Sequence, residues 1–247
     1  MAYCTQESNM KINAENQDFE TLNGQIRSAA EKEIEIENCL GHRYIGCGVS
    51  NKKITVNGIS GNALGAYLNG GELILNGNAQ DAVGDTMNAG KIVIHGNVGD
   101  TVGYAMRGGE IYVQGDAGYR AGIHMKAYKE KTPVLVIGGK VGSFLGEYQA
   151  GGVIIVLNMQ NEERPVWYFP CTGMHGGKVF IRSGKDIAFP PQVRSRIATE
   201  EDILEIESYI EEYCRLFGGN AEEIKKQPFT VVTPNSNNPY KQLYVGN

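Results

Sequence analysis

One segment of the chain gathers side chains able to hold an anion. In GYRAGIHMKAYKEKTP, Arg120, His124, Lys126, Lys129 and Lys131 crowd together in a protein whose formal net charge is −5. Guanidinium and ammonium groups donate charge-assisted hydrogen bonds to carboxylates and phosphates. The group reads as an anion site, as a docking surface for an acidic partner, or as a solvated basic loop. His175, in GMHGG, is a further candidate for the same surface. Cys39, His42 and Cys47 lie close in sequence, but Cys-x7-Cys with one His lacks zinc-knuckle spacing. No Walker A, GxSxG or HExxH sequence occurs, and no GxGxxG follows a strand and opens a helix. No acid, base and nucleophile can be named together, so no catalytic, cofactor-binding or metal-binding residue is assigned.

The elements that would position the basic segment come from a repeat. Gly58, Gly77, Gly96 and Gly115 recur every 19 residues, and Gly139 opens a fifth copy five residues late. Gly65, Gly84, Gly103, Gly122 and Gly146 follow inside the copies. Each copy also carries an alternating apolar run: KITVN, ELILN, KIVIH, EIYVQ, VLVIG, VIIVL and, past a gap, KVFIR. Period-two alternation is a strand signal. One such strand cannot bury a core, but a stack of them can. Nineteen residues suffice for one coil of short strands and glycine corners. The expected fold is therefore all-β, a single-stranded parallel β-helix of about seven coils. Ile34 and Ile36, set among glutamates, are a charged eighth run. Leu68, Met87, Met106 and Met125 form a core row that Gln149 interrupts. The five-residue insertion falls after the basic segment begins, so that segment should emerge as a loop.

The opposite face of the runs carries one apolar residue per coil: Ile74, Val93, Tyr112, Val136, Ile155 and Phe180. Such a stripe is rarely left bare. Either a C-terminal helix or a partner chain should cover it, which makes it a candidate apolar interface.

Three regions follow. Residues 1–32 hold an amphipathic capping helix around Phe19, Leu22 and Ile26; residues 33–184 hold the repeats. Residues 185–247 hold a helix and an extended tail packed on the solenoid. Thr199 and Asp202 make a capping-box start for that helix, and Gly218 and Gly219 stop it. Residues 158–172 break the period and read as a loop. The acidic balance argues against nucleic acid. No run of 18 apolar residues suggests a membrane span, and the five cysteines lack a disulfide rhythm. A soluble, cytoplasmic protein is expected.

The run GNAQDAVGDTMNAGKIVIHGNVGDTVGYAMRGGEIYVQGDAGYRAGIHMK, with GSFLGEYQAGGVIIVL and TGMHGGKVFIR, closely resembles the GXGXG domain family. It is similar to the C-terminal domain of the glutamate synthase large subunit, above all to stand-alone versions. The resemblance covers roughly residues 18–245. Gln80 departs from it by replacing a repeat glycine, and NMQNEERPVWYFPC is longer than the pattern. The resemblance implies a right-handed β-helix with no catalytic residues or cofactor of its own. It implies two partners, a glutamine amidotransferase subunit and an FMN and iron–sulfur subunit that turns 2-oxoglutarate into glutamate. The same fold serves as the β-helix subunit of formylmethanofuran dehydrogenase, which stays open as an alternative. So does a self-assembling structural protein, a homo-oligomer.

Overall fold

The computed structural model describes residues 9–235. Its framework is one 11-stranded sheet. Nine strands run parallel in chain order: β1 (Asn9–Asn13), β2 (Glu33–His42), β3 (Lys53–Ser60), β4 (Asn69–Asn76), β5 (Ala89–Ile94), β6 (Glu110–Val113), β7 (Val134–Ile137), β8 (Ala150–Val156) and β9 (Gly176–Arg182). The register follows the repeat. Ile54 pairs with Leu73, Leu73 with Ile92, Ile92 with Ile111, Ile111 with Leu135, Leu135 with Ile154 and Ile154 with Val179. Ile34 and Ile36 of the charged run do pair, with Ile54 and Val56. Ahead of them stands β1, which the repeat did not announce.

The segments between strands are also laddered. Isolated parallel bridges join Ser60, Ala79, Val98, Ala117, Val141 and Val166 in turn. The amides of Gly65, Gly84, Gly103 and Gly122 each donate to a carbonyl one repeat back, those of Ile45, Leu64, Val83 and Val102. Side chains continue the pattern, because Asp81 accepts from the Asp100 amide and Asp100 from the Tyr119 amide. These aspartates satisfy backbone donors at tight turns. Glycine is required where neighbouring repeats touch. Gly84 sits at φ +67, and a Cβ there would strike Ile111.

One face of the sheet packs on the row of Leu64, Leu68, Val83, Met87, Val102, Met106 and Met125. Gln149 keeps its place in that row, fully buried, its amide nitrogen donating to the Gly151 and Gly152 carbonyls. Helix α1 (Phe19–Ser28) inserts Leu22 and Ile26 into the same cluster. Asp18 caps it by accepting from the Thr21 amide.

The chain then turns back. Strand β10 (Val193–Ile197), helix α2 (Glu200–Phe217), helix α3 (Ala221–Lys225) and β11 (Phe229–Pro234) follow β9. Strand β11 pairs antiparallel with β9 and β10 with β11. The capping box at Thr199 and Asp202 is formed, and Gly218 ends α2. Helix α2 lies over the outer face of the sheet. Tyr112, Val136, Ile155 and Phe180 share one buried cluster with Ile206, Ile210, Tyr213, Phe229 and Val231. Val93 is buried too, and Ile74 is half-buried. Of the two covers expected for this candidate interface stripe, the C-terminal helix is the one observed over its later members. Strands β5–β9 present it, and the chain's own α2 and β11 cover it. The segment after Asn235, with Tyr240, Leu243 and Tyr244 of the expected tail, lies outside the described residues.

Candidate functional site

The site is built on a corner of the repeat, where the backbone adopts left-handed conformations at residues other than glycine. Tyr44, Ala63, Ala82, Thr101, Arg120, Phe144 and Phe169 occupy one row, all at positive φ. Tyr67, Thr86, Ala105, His124 and Tyr148 occupy a second. Both rows are fixed by amides that donate to the next repeat: Thr101 to the Tyr119 carbonyl, Arg120 to Ser143, Phe144 to Tyr168, His124 to Glu147 and Tyr148 to Thr172. The left-handed region is costly for a side chain with a Cβ.

In the late repeats these rows carry rings and cations. His124 stacks on Tyr148 with centroids 5.2 Å apart and meets Tyr104 edge-on at 6.0 Å. Phe144 stacks on Phe169 at 5.4 Å. Arg120 lies 4.9 Å over the Phe144 ring, and its Nε donates to Glu147 at 3.0 Å. Arg164 lies 5.1 Å over Tyr168. Trp167, Tyr168 and Phe169 remain 47%, 53% and 62% exposed. Beside them runs a groove of about 970 Å³ whose lining includes Lys140, Arg164 and Lys185, Glu162, Glu163 and Asp186, and the apolar Ile187, Phe189 and Pro190.

The five basic residues expected from sequence are spread along this corner. Arg120 and His124 stand in its two rows. Lys126 is exposed next to Arg107 of the preceding repeat, since the Lys126 amide donates to the Met106 carbonyl. Lys129 and Lys131 sit in the insertion, a turn closed by two backbone bonds between Tyr128 and Lys131. Lys131 Nζ donates to the Asn88 carbonyl at 3.2 Å. His175 is half-buried one repeat beyond Tyr148, its Nδ1 3.0 Å from the Gly173 carbonyl. Sequence reasoning missed Tyr104, Arg107, Phe144, Tyr148, Arg164 and the Trp167–Phe169 triplet. Their signal was the uneven spacing of Arg120, Phe144 and Phe169, each just before a core position of its repeat.

Elsewhere the titratable groups are structural. Cys39 is buried with Sγ donating to the Ile59 carbonyl, and burial raises its thiol. His42 is held between the Leu40 amide and the Gln17 carbonyl, facing neither Cys39 nor Cys47 as a ligand pair would. Burial pushes the Cys171 thiol up to about 12, which leaves it inert as a nucleophile. Burial also raises the Tyr112 and Tyr213 hydroxyls. Tyr112 donates to Glu110 and Tyr213 to the Gln114 carbonyl. Arg215 and then Lys91 hold the Glu212 carboxyl down at about 2. Among the described residues only Glu207, Glu211 and Glu222 come within joint ligating reach, and Lys225 already pairs with Glu207 and Glu222. Those three carboxylates are not the thiolate set that an iron–sulfur cluster takes. No described helix is long and apolar enough to cross a membrane.

Known proteins resemble this chain in sequence or in fold. The chain is 41% identical to the uncharacterized protein MJ1350 of Methanocaldococcus jannaschii, over 94% of its own length and 95% of the relative's. Its fold is similar to a chain in the formyltransferase/hydrolase complex (FhcABCD) of Methylorubrum extorquens, solved with methylofuran. The TM-score is 0.62 with 18% identity, covering 89% of this chain and 92% of that one. The family model for the GXGXG motif matches residues 9–234. With its repeat in register across the sheet and matched over nearly its whole length, the chain belongs to the GXGXG motif family.

Proposed function

We propose that this chain is a non-catalytic scaffold subunit of a glutamate-synthase-type complex. It would brace a glutamine amidotransferase subunit against an FMN and iron–sulfur subunit in a soluble, cytoplasmic assembly. The flavin and the clusters belong to those partners. Holding the two in register matters because ammonia must pass between active sites without loss to water. The observation that carries the reading is the corner of the late repeats. It is a rigid surface of exposed rings and arginines, the composition of protein interfaces, with no convergent catalytic group beside it.

A brace must also be stiff. We read the sheet as one wall of a right-handed parallel β-helix. The 19-residue register, the second ladder from Ser60 to Val166 and the glycine amides that donate back one repeat support that winding.

The test is affinity purification of the tagged chain from its native host, with mass spectrometry of what accompanies it. An amidotransferase and a flavin/iron–sulfur polypeptide are expected. The chain alone, as a uniform homo-oligomer, would overturn the reading in favour of a self-assembling structural protein. A second reading draws on the fold shared with a chain of the Methylorubrum formyltransferase/hydrolase complex. It makes this chain a subunit of a formylmethanofuran dehydrogenase-like assembly. Copurifying molybdenum or tungsten, without flavin, would favour it.

A further inference from the structure

We propose that the corner of the late repeats is the docking surface for an acidic protein partner. Trp167 and Phe169 are its anchors, and Arg164 and Lys126 its charged contacts. The proposal rests on the scaffold reading and adds which face binds and what chemistry it meets.

Three observations converge. The first is conformational. The repeat closes its corner equally well with small residues, as Ala63, Ala82, Thr101, Thr86 and Ala105 show in the same two rows at the same positive φ. Arg120, His124, Phe144, Tyr148 and Phe169 therefore exceed what the turn requires. Strained positions filled by large side chains cluster where function compensates the cost. The second is exposure. Trp167, Tyr168 and Phe169 form a contiguous uncovered patch beside a groove, and aromatic anchors next to pockets dominate interface energetics.

The third is charge. Glu147, Glu162 and Glu163 are each engaged, by Arg120, Lys140 and Lys185. Arg107, Lys126, Lys129 and Arg164 have no carboxylate within ion-pair distance among the described residues. Two carboxylates, Glu130 in the insertion and Asp186 on the groove, are likewise outside any ion pair, so along this corner a protein of net charge −5 keeps four such cations against two such anions. A partner that presents carboxylates around an apolar tip completes both the apolar patch and the surplus of cations.

The experiment titrates the full chain against the partner recovered with it. Trp167→Ala and Phe169→Ala should each weaken binding by about 30-fold or more. Arg164→Glu and Lys126→Glu should slow association, and raised salt should slow it in the wild type. Tyr67→Ala, an exposed ring in the second row of an early repeat, should stay within about twofold. Thermal melts of every variant confirm that the fold is intact.

A partner held equally by all variants would overturn the proposal and leave the scaffold reading standing. So would anchor losses without any salt dependence, which would show a neutral partner. No partner with the wild type would end both. A dimer dispersed by Trp167→Ala would give the face to a second copy and overturn it. Protection of Trp167–Phe169 from hydrogen exchange, lost on deleting residues 236–247, would give the face to the chain's own terminus and overturn it as well.

Discussion

Two rows of large apolar side chains face away from the repeat interior, and they have opposite fates. Tyr112, Val136, Ile155 and Phe180 lie under α2 and β11 and are fully enclosed. Phe144, Tyr148, Trp167 and Phe169 lie on the corner, where no described element crosses them, and three of the four are exposed. Both sets are large and apolar, and Phe144 and Phe169 recur at one repeat position as the stripe residues do. What differs is the neighbour, and for the stripe the neighbour is more than 20 residues further along the chain. An outward apolar row in a repeat protein is therefore a demand for cover, and only the tertiary structure says who supplies it.

The comparison breaks if the covered row behaves like the open one. Phe180→Ala, which empties a fully buried site between sheet and helix, should cost about 3–5 kcal/mol in urea unfolding. A cost below about 1 kcal/mol would mean that α2 does not close the stripe.

Next in size is the ionic edge of the same seam. Glu212 joins α2 to the sheet through Lys91 at 2.5 Å. Its folded carboxyl titrates at about 2, below the ~4.3 of an unfolded glutamate. The stabilisation is fully present above the unfolded value and is lost as pH falls through the folded one. Glu212→Gln should cost on the order of 1 kcal/mol at neutral pH, since the site is partly open to solvent. It should also flatten acid unfolding between about pH 4 and pH 2, read by circular dichroism. An unchanged acid limb would sever the helix from its ion pair.

On the open corner the expected signs reverse. Phe169→Gly removes a ring at φ +58, so stability should hold or rise by up to about 1 kcal/mol. Trp167→Ala should change stability by less than about 0.5 kcal/mol. A loss of several kcal/mol at either position would show that the corner serves the fold, which would erase the contrast with the stripe.

Much of the framework was legible because glycines and apolar pairs recur at a fixed interval. Ile54, Leu73, Ile92, Ile111, Leu135, Ile154 and Val179 pair as the repeat aligned them. Thr199 and Asp202 cap α2 as local chemistry dictates. Strand β1 escaped notice because NMKIN has only Met10 and Ile12 on its inward side and stands 24 residues before its partner. Strand β10 is Val-Arg-Ser-Arg-Ile with four of its residues exposed, so no core pattern marks it. At the candidate site, Arg120 and His124 were visible as charge in a charged segment. Phe144, Tyr148 and Trp167–Phe169 were not, because exposure of a ring leaves no trace in sequence. The insertion and the segment 158–172 also shift their spacing from 19 residues to 24 and 25 in turn.

Helix α2 reaches across several repeats at once. Lys178 on β9 meets Glu205, and Lys91 on β5 meets Glu212. Four strand spacings separate the two lysines, about 19 Å, while seven helical residues advance about 10 Å; the side chains bridge the difference. One further repeat inserted between β5 and β9 would stretch that span by about 5 Å and pull a lysine away from its glutamate. Downstream, the antiparallel return of β11 on β9 stops parallel growth outright. The helix thus works as a gauge of how many repeats the late half contains. Duplication or loss of a unit is tolerated most easily in the early repeats, which lie outside the span between these two ion pairs.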